Sequence, residues 1–232
     1  MRFDQMNWMD VEKYLSKDDR LMIILGACEQ HGYLSLLTDI KIPSELAESA
    51  SQKTGVPVAP PLNFGFCPFF LSYPGVISLR AQTLMDVFED IVSSVYRAGF
   101  RRLLVVNGHG GNMSVASRID EMLNVNDRFP KLRVRWYSWW ESPAVTAVAK
   151  RHGLKPDHAN WLEAFPFTRI CELPKNQKAE AVTSPWEFLN AERMREIHGD
   201  GVFGSPYQAS DEVMDEIFKT AVEEIFGILK FE

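Results

Sequence analysis

The chain has 232 residues, of which 24% are charged and 46% hydrophobic, and its formal net charge at pH 7 is -6. These values are typical of one globular α/β domain, which we predict over residues 1–232, and the negative charge argues against a nucleic-acid partner. No apolar run approaches the roughly 20 residues of a membrane span, and three cysteines without paired spacing indicate a reducing compartment, so we predict a cytoplasmic protein without a membrane partner.

The first half of the chain predicts a β-α-β unit. Residues 21–26 are a continuous apolar run, which is typical of a strand buried on both faces. A helix is predicted over 42–51, with Pro43 in its first turn and Gly55 just past its end, and a second strand over 56–59. The following loop, 60–79, is rich in Pro, Gly and aromatic residues. Its composition fits a substrate-pocket wall as well as it fits a hydrophobic plug or a subunit contact.

The second half alternates further helices and strands. The predicted strands cover 103–106 and 132–139, the latter near a sheet edge because it has one wetter face. Gly99 is predicted to cap the first helix of this half, and Ser210 or Asp211 to cap the last. The predicted helices cover 83–98, 113–123, 143–150, 187–197 and 211–229. This pattern predicts an α/β fold with a mostly parallel sheet.

Residues of metal-ligand type follow the predicted strands. Glu29 and His31 lie at i and i+2 after the first strand, so an extended chain would place both side chains on one face. Asp39 follows shortly afterwards, His109 lies in the turn after the strand 103–106, and Glu163 lies further along the chain. Two imidazoles and three carboxylates without a thiolate form the donor set of a paired Zn, Mn or Fe hydrolytic centre.

The turn that contains His109 needs separate consideration, because glycine-rich turns after strands also bind phosphates. Its sequence is Asn107-Gly108-His109-Gly110-Gly111-Asn112, with neither G-x-G-x-x-G spacing nor a Gly-Lys-Ser/Thr. A histidine in the middle of the turn suits a metal ligand better than a phosphate cradle. We therefore interpret the turn as part of a metal site.

Four successive motifs resemble the creatininase (creatinine amidohydrolase) family. They are Glu29-Gln30-His31-Gly32 with Thr38-Asp39, the segment Tyr73-Pro74-Gly75-Val76-Ile77-Ser78-Leu79, the turn Asn107 to Asn112, and His158-Ala159 with Glu163. The end of the chain, Gly201 to Pro206 followed by a long helix, is also similar. The resemblance covers roughly residues 20–230, and the Asn-Gly-His-Gly-Gly-Asn turn is its most specific part.

The resemblance implies a three-layer α/β/α fold, a two-metal site, a homohexamer and hydrolysis of cyclic or other non-peptide amide C–N bonds. It implies that Glu29 and His109 bind one divalent ion (Zn, Mn or Fe), that His31 and Glu163 bind the other, and that Asp39 bridges the two ions. The implied catalytic residues are His158, at the acid/base position, and Glu163.

Departures from the family pattern point away from creatinine as the substrate. After Gly32 the chain lacks the family's second His and is one residue shorter, and Phe70 occupies a position where the family often has a His. Glycines also replace the acidic ligand that creatininases proper carry within the Asn-Gly-His turn. We predict a larger or more apolar small-molecule amide, contacted by Tyr33, Phe66, Phe70, Gly110, Gly111 and Trp161.

Two alternative functions remain open from the sequence. The scissile bond could be a formamide or a peptide bond, because relatives in this family include deformylases and a peptide-trimming enzyme. Alternatively, the chain could be a metal-binding accessory protein that has lost turnover. His152 and His198 belong to no motif, and we predict both to be surface or loop residues without a role.

Overall fold

The computed structural model describes residues 1–124, 128–181 and 188–232. Its central feature is a parallel sheet of three strands in the order β1-β2-β3. The strands are β1 (Arg20–Leu25), β2 (Arg102–Asn107) and β3 (Arg133–Ser138), so β3 lies at the edge, as predicted. A short antiparallel pair, β4 (Gln177–Lys178) and β5 (Ser205–Pro206), stands apart from this sheet.

Helices cover both faces of the sheet. They are α1 (Trp8–Leu15), α2 (Thr38–Thr54), α3 (Ala81–Ala98), α4 (Met113–Asn124), α5 (Pro143–Arg151), α6 (Ala191–His198) and α7 (Asp211–Ile228). Alternate strand residues such as Met22 and Leu104 pack against α2, α5 and α7, whereas Leu21 and Leu103 pack against α3 and α4. Because both faces are covered, β1 is apolar from Leu21 to Leu25 and β2 from Leu103 to Val106, whereas the edge strand β3 contains Arg133 and Arg135. The fold has the three α/β/α layers that the resemblance implies.

Three predicted elements need correction. Residues 56–59 pair with β1 only through isolated parallel bridges, such as Met22 with Val58. Helix α2 begins at Thr38, four residues before its predicted start, so Pro43 lies inside the helix. The predicted helix 187–197 begins at Ala191, after the cap residue Asn190; Glu187, its predicted start, lies outside the described residues.

The early start of α2 brings Asp39 to the carboxyl edge of the sheet. Pro43 has no N–H to donate to the carbonyl of Asp39, which is four residues earlier. That carbonyl instead packs against Gly26 and Gly108, where a Cβ would lie only 2.6 and 2.0 Å from the Asp39 oxygen. The two glycines therefore allow the first turn of α2 to approach the ends of β1 and β2 closely.

Ion pairs join the strands at the opposite edge of the sheet. Asp18 accepts hydrogen bonds from the guanidinium of Arg20 and, at 3.1 Å, from Arg102. Partial burial opposes ionisation of Asp18, but the hydrogen bonds from Arg20 outweigh it and lower the pKa of this carboxyl group. Across the described residues, no helix is long and apolar enough to cross a membrane.

This lowered pKa predicts a pH-dependent contribution to stability. A carboxyl group with a lower pKa in the folded state stabilises the fold above its unfolded pKa, about 3.9, and loses that contribution as the pH falls through the folded value. We expect Asp18→Asn to lower the free energy of unfolding at pH 7 by about 0.2–1 kcal/mol, because the ion pair is partly exposed. Urea denaturation at pH 7 and at about pH 2.5 measures this, with the exposed Asp120→Asn as control; a difference that persists at the lower pH would contradict the explanation.

Candidate metal centre

The ligand-type residues predicted from the sequence meet at the carboxyl edge of the sheet. Glu29 and His31 follow β1, His109 follows β2, and Asp39 lies in the first turn of α2. Glu163 closes a short 3-10 turn, Trp161–Glu163. Glu29, His31 and Asp39 are each no more than 2% exposed. Buried polar side chains need hydrogen-bond partners or a bound ion.

Asp39 stands at the centre of the cluster. One carboxylate oxygen, Oδ1, lies 2.9 Å from His31 Nε2, and the other, Oδ2, lies 3.0 Å from His109 Nδ1. Glu163 Oε1 is 3.5 Å from the same nitrogen of His31, and Glu29 Oε2 is 3.5 Å from the same nitrogen of His109. The donors thus divide into two groups that share the Asp39 carboxylate.

Despite these short distances, three of the donor atoms make no hydrogen bond among the described residues. They are Glu29 Oε2, His31 Nε2 and Asp39 Oδ2, all inaccessible to solvent. Leaving such atoms unsatisfied costs about 1–3 kcal/mol each, and more when they are charged. Ligands about 2.1 Å from a tetrahedral metal ion lie about 3.4 Å from one another, which is close to the spacings found here. The residues therefore fit divalent metal ions.

Backbone carbonyl groups aim the two histidines. His31 Nδ1 lies 3.2 Å from its neighbour Glu29 O, which leaves Nε2 facing the cluster. His109 Nε2 lies 2.9 Å from Phe66 O, which leaves Nδ1 facing the cluster. A ring nitrogen that donates to a carbonyl group fixes the tautomer and frees the other nitrogen for a metal ion.

The glycine-rich turn is shaped for close packing around His109. Asn107 braces it by donating to His109 O at 2.9 Å and accepting from His109 N at 3.2 Å. A Cβ on Gly111 would lie 1.8 Å from Phe66 O and 2.5 Å from His109 Nε2. Glycine is thus needed where the loop carrying Phe66 meets the turn.

Burial and mutual attraction shift the pKa values of these groups. Burial raises the pKa of Glu29 to about 8. Burial opposes protonation of the histidines, but the carboxylates outweigh it: Asp39 and Glu163 raise the pKa of His31, and Glu29 and Asp39 raise that of His109 to about 9. Burial also opposes ionisation of Asp39, yet His31 and His109 lower its pKa. Since metal ions bind neutral imidazoles, metal binding here would release protons and weaken at low pH.

His158 lies beside the cluster, with Nδ1 3.7 Å from Glu29 Oε1. Its ring stacks on Phe70, with 4.8 Å between centroids and 12° between planes, and meets Phe203 edge-on at 4.9 Å. Burial and the charge of His31 lower the pKa of His158 to about 4, so its imidazole is neutral at neutral pH. Asp157 accepts from the backbone N–H of His158, so this contact holds the main chain and not the ring.

A cavity of about 610 Å³ opens onto this cluster. Glu29, Asp39, His109, His158 and Glu163 form its polar end, and Gly110 and Gly111 also line it. The remaining wall is largely apolar, and its large side chains are Phe66, Phe69, Phe70, Trp140, Leu162, Met194 and Phe203. A mostly apolar cavity with a few converging polar groups is typical of a small-molecule site.

Two predicted substrate contacts lie elsewhere. Trp161 is fully buried in the hydrophobic core, where its indole N–H donates to Lys155 O at 2.9 Å. Tyr33 is partly exposed and packs edge-on against Tyr207, with 5.6 Å between centroids. In the described part of the chain neither residue lines the cavity, so the prediction that they contact the substrate there is not supported.

Other cavity residues were not predicted. Met194 and Phe203 come from the last quarter of the chain, and Cys67 lies close enough to Glu29 and His109 to form a third candidate group of ligands. His198 was predicted as a surface or loop residue, but it is buried and stacks on Phe203 at 3.8 Å. As predicted, His152 lies at the surface, where it pairs with Glu216. No sequence pattern marks Met194, whereas Phe203 lies within the Gly201 to Pro206 segment.

Known proteins resemble this chain in sequence and in its α/β fold. A sequence model described as creatininase, creatinine amidohydrolase, matches residues 4–229. The chain therefore belongs to the creatininase family.

Individual relatives show what this family includes. The chain is 32% identical over 124 residues to creatinine amidohydrolase of Pseudomonas putida, covering 50% of this chain and 48% of that protein. It is 29% identical over 115 residues to the mycofactocin precursor peptide peptidase of Mycolicibacterium smegmatis, covering 47% and 46%. The matched regions thus span about half the length of these curated relatives. A solved structure described as creatininase Mn superposes with a TM-score of 0.81 at 23% identity, covering 99% of this chain and 97% of the other, which shows the fold.

Proposed function

We propose that this chain is a metal-dependent amidohydrolase that holds two divalent ions, Zn, Mn or Fe, and hydrolyses a non-peptide amide C–N bond in a small molecule. The observation that carries the proposal is the Asp39 carboxylate, whose two oxygens face two different histidines. In this assignment Glu29 and His109 would hold one ion, His31 and Glu163 would hold the other, and Asp39 would contribute to both. The solved structure described as creatininase Mn supports a divalent ion of this kind.

The chain's own residues have separate parts in this reaction. Two divalent ions would supply Lewis acidity, which lowers the pKa of a water molecule and polarises an amide carbonyl group. Glu163 Oε2 accepts a hydrogen bond from the backbone N–H of Ala159, with 2.6 Å between nitrogen and oxygen, and this holds the carboxylate next to the segment carrying His158. His158 gives a proton to the nitrogen that leaves, a role suited to a positioned imidazole. Phe70 and Phe203, packed on its ring, exclude water from that side.

The cavity wall favours an amide with an apolar substituent. Phe70 stands near the polar end, and Phe66, Trp140 and Met194 add apolar surface. Creatinine is small and polar and would leave much of this surface without contact. The peptidase among the relatives supports peptide trimming as an alternative within the same chemistry. Formamide hydrolysis is the other alternative, and it follows from the family resemblance.

The experiment is a substrate panel with a matched pair of histidine variants. We expect metal-loaded protein to hydrolyse at least one member of a panel of lactams, N-acyl amides, formamides and short peptides. His158→Ala should lower kcat about 10²–10⁴-fold while metal content stays unchanged, because proton transfer is lost but the ligands remain. His152→Ala, on the surface, should have no effect. Bound metal without any turnover would instead indicate an accessory protein, and full activity of His158→Ala would exclude His158 as the proton donor.

We further propose a homo-oligomer, a hexamer by family resemblance. The loop 60–79 and its neighbourhood expose Phe64, Phe69, Leu71 and Ile77, each at least 41% accessible. Clustered exposed apolar side chains are typical of interaction sites. Light scattering measures the assembly, and a monomer would count against this part of the proposal.

A further inference from the structure

Gln30 lies between two of the ligand residues, and the backbone holds its side chain from two sides. Its Oε1 accepts a hydrogen bond from Gly32 N at 3.1 Å, and its Nε2 donates to Gly201 O at 3.1 Å. A backbone N–H only donates and a carbonyl oxygen only accepts, so these contacts determine which amide atom is oxygen and which is nitrogen. Turning the amide by 180° would oppose donor to donor and acceptor to acceptor.

The remaining hydrogen of this amide is directed at His158. Gln30 Nε2 lies 2.8 Å from His158 Nε2. An amide nitrogen donates and does not accept, so His158 Nε2 must be the acceptor and carries no proton. A neutral imidazole with a bare Nε2 carries its proton on Nδ1, the atom that faces Glu29 and the cavity.

Close packing keeps Gln30 in this position. A Cβ on Gly201 would lie 1.7 Å from Gln30 Oε1, and Gly201 has a φ of +91°, which side-chain-bearing residues rarely adopt. Phe70 and Phe203 hold the His158 ring from the other sides. The ring therefore has little freedom to turn away from the Gln30 amide.

We propose that Gln30 is a positioning residue that keeps His158 in its Nδ1–H form, so that His158 offers the cavity a proton donor and not a metal ligand. His158 lies within ligating reach of Glu29 and His31, but a protonated nitrogen cannot bind a metal ion. The catalytic consequence rests on the proposed hydrolase function. The attacking water first adds its oxygen to the carbonyl carbon. As the C–N bond then breaks, its electron pair leaves with the nitrogen, which takes the proton of Nδ1, and the briefly deprotonated ring takes back a proton of the added water, so that Nδ1–H is restored.

The test is the Gln30→Glu variant, nearly identical in size. A carboxylate only accepts, so it would take a hydrogen bond from His158 Nε2–H and reverse the tautomer. ¹⁵N NMR of zinc-treated protein labelled in its histidine side chains reads the proton position, and His158→Ala identifies the signals. We expect the proton on Nδ1 in the wild type and on Nε2 in Gln30→Glu. With any amide that is turned over, kcat should fall about 10²-fold with little change in KM.

Two further variants complete this experiment. Gln208→Glu is the matched control, because Gln208 also donates to backbone carbonyls, those of Leu173 and Pro174, outside the cavity; it should leave the His158 signals unchanged. Gln30→Met, which cannot donate, should give a mixture of tautomers if Gln30→Glu does not fold. A wild-type proton on Nε2, or the wild-type tautomer in a folded Gln30 variant, would overturn the proposal. The NMR spectrum shows the tautomer whether or not zinc binds. A protein that binds no zinc would therefore contradict the proposed function without deciding the role of Gln30.

Discussion

Asp39→Asn is expected to abolish tight metal binding in both groups of donors at once, because one carboxylate serves both. The amide of Asn keeps the size of Asp39 but removes the negative charge that lies 2.9 Å from His31 and 3.0 Å from His109. Metal content by mass spectrometry should fall from about two ions per chain to less than one, and hydrolysis of any substrate should be lost with it.

Thermal unfolding gives a second measure of the same variant. A ligand that binds only the folded state at 100 times its Kd stabilises that state by about 2.7 kcal/mol, which raises Tm by about 5–10 °C for a chain of this size. We expect zinc to raise the Tm of the wild type by this amount and that of Asp39→Asn by much less. Asp120→Asn, exposed on α4, should respond like the wild type. An unchanged zinc response in Asp39→Asn would exclude Asp39 as a shared ligand.

The sheet could be predicted because its strands are buried on both faces. Residues 21–26 and 103–106 are continuous apolar runs with chemistry-bearing residues directly after them, and parallel strands bring their carboxyl ends to one edge. That reasoning places Glu29, His31 and His109 together without any knowledge of tertiary contacts. In the structure these three residues lie close together at that edge, and the three layers around the sheet are confirmed.

The start of α2 could not be predicted from the sequence. Proline is most common in the first turn of a helix, so Pro43 pointed to a start near residue 42. In the structure Pro43 lies inside α2, since the carbonyl group that it leaves without an intrahelical donor packs into the space left by Gly26 and Gly108. This arrangement depends on residues that are far apart in the chain, which local patterns do not connect. As a consequence, the sequence predicted Asp39 as a ligand but not its position in the first turn of α2.

Pocket walls were predicted less well than ligands for a related reason. An aromatic side chain fits a buried core as well as a cavity, so Trp161 in the core and Phe70 at the cavity look alike in sequence. Met194 reaches the cavity because α6 packs on the turn Pro68–Phe70, a contact between distant parts of the chain. Ligand-type residues are easier to recognise, since a buried carboxylate or imidazole needs a partner and a phenyl ring does not.

Gly108→Ala is expected to disrupt the centre without changing any ligand. The new Cβ would lie 2.0 Å from Asp39 O and 2.7 Å from Pro43 Cγ, far inside van der Waals contact with backbone that cannot move independently of α2. Overpacking of this kind costs about 1–3 kcal/mol or more in the free energy of unfolding. Because α2 must move away from the end of β2, the Asp39 carboxylate should also move away from His109, and the affinity for zinc should fall.

Gly110→Ala is the control within the same turn, because a Cβ at Gly110 has no heavy atom within 4 Å. Its free energy of unfolding in urea should stay within about 0.5 kcal/mol of the wild type, and its zinc content should be unchanged. Since Gly110 lines the cavity, this variant should act on KM alone once a substrate is found. Equal losses of stability and metal in both variants would mean that the turn tolerates no side chain at all. Close packing between Asp39 and Gly108 would then not be what positions the shared carboxylate.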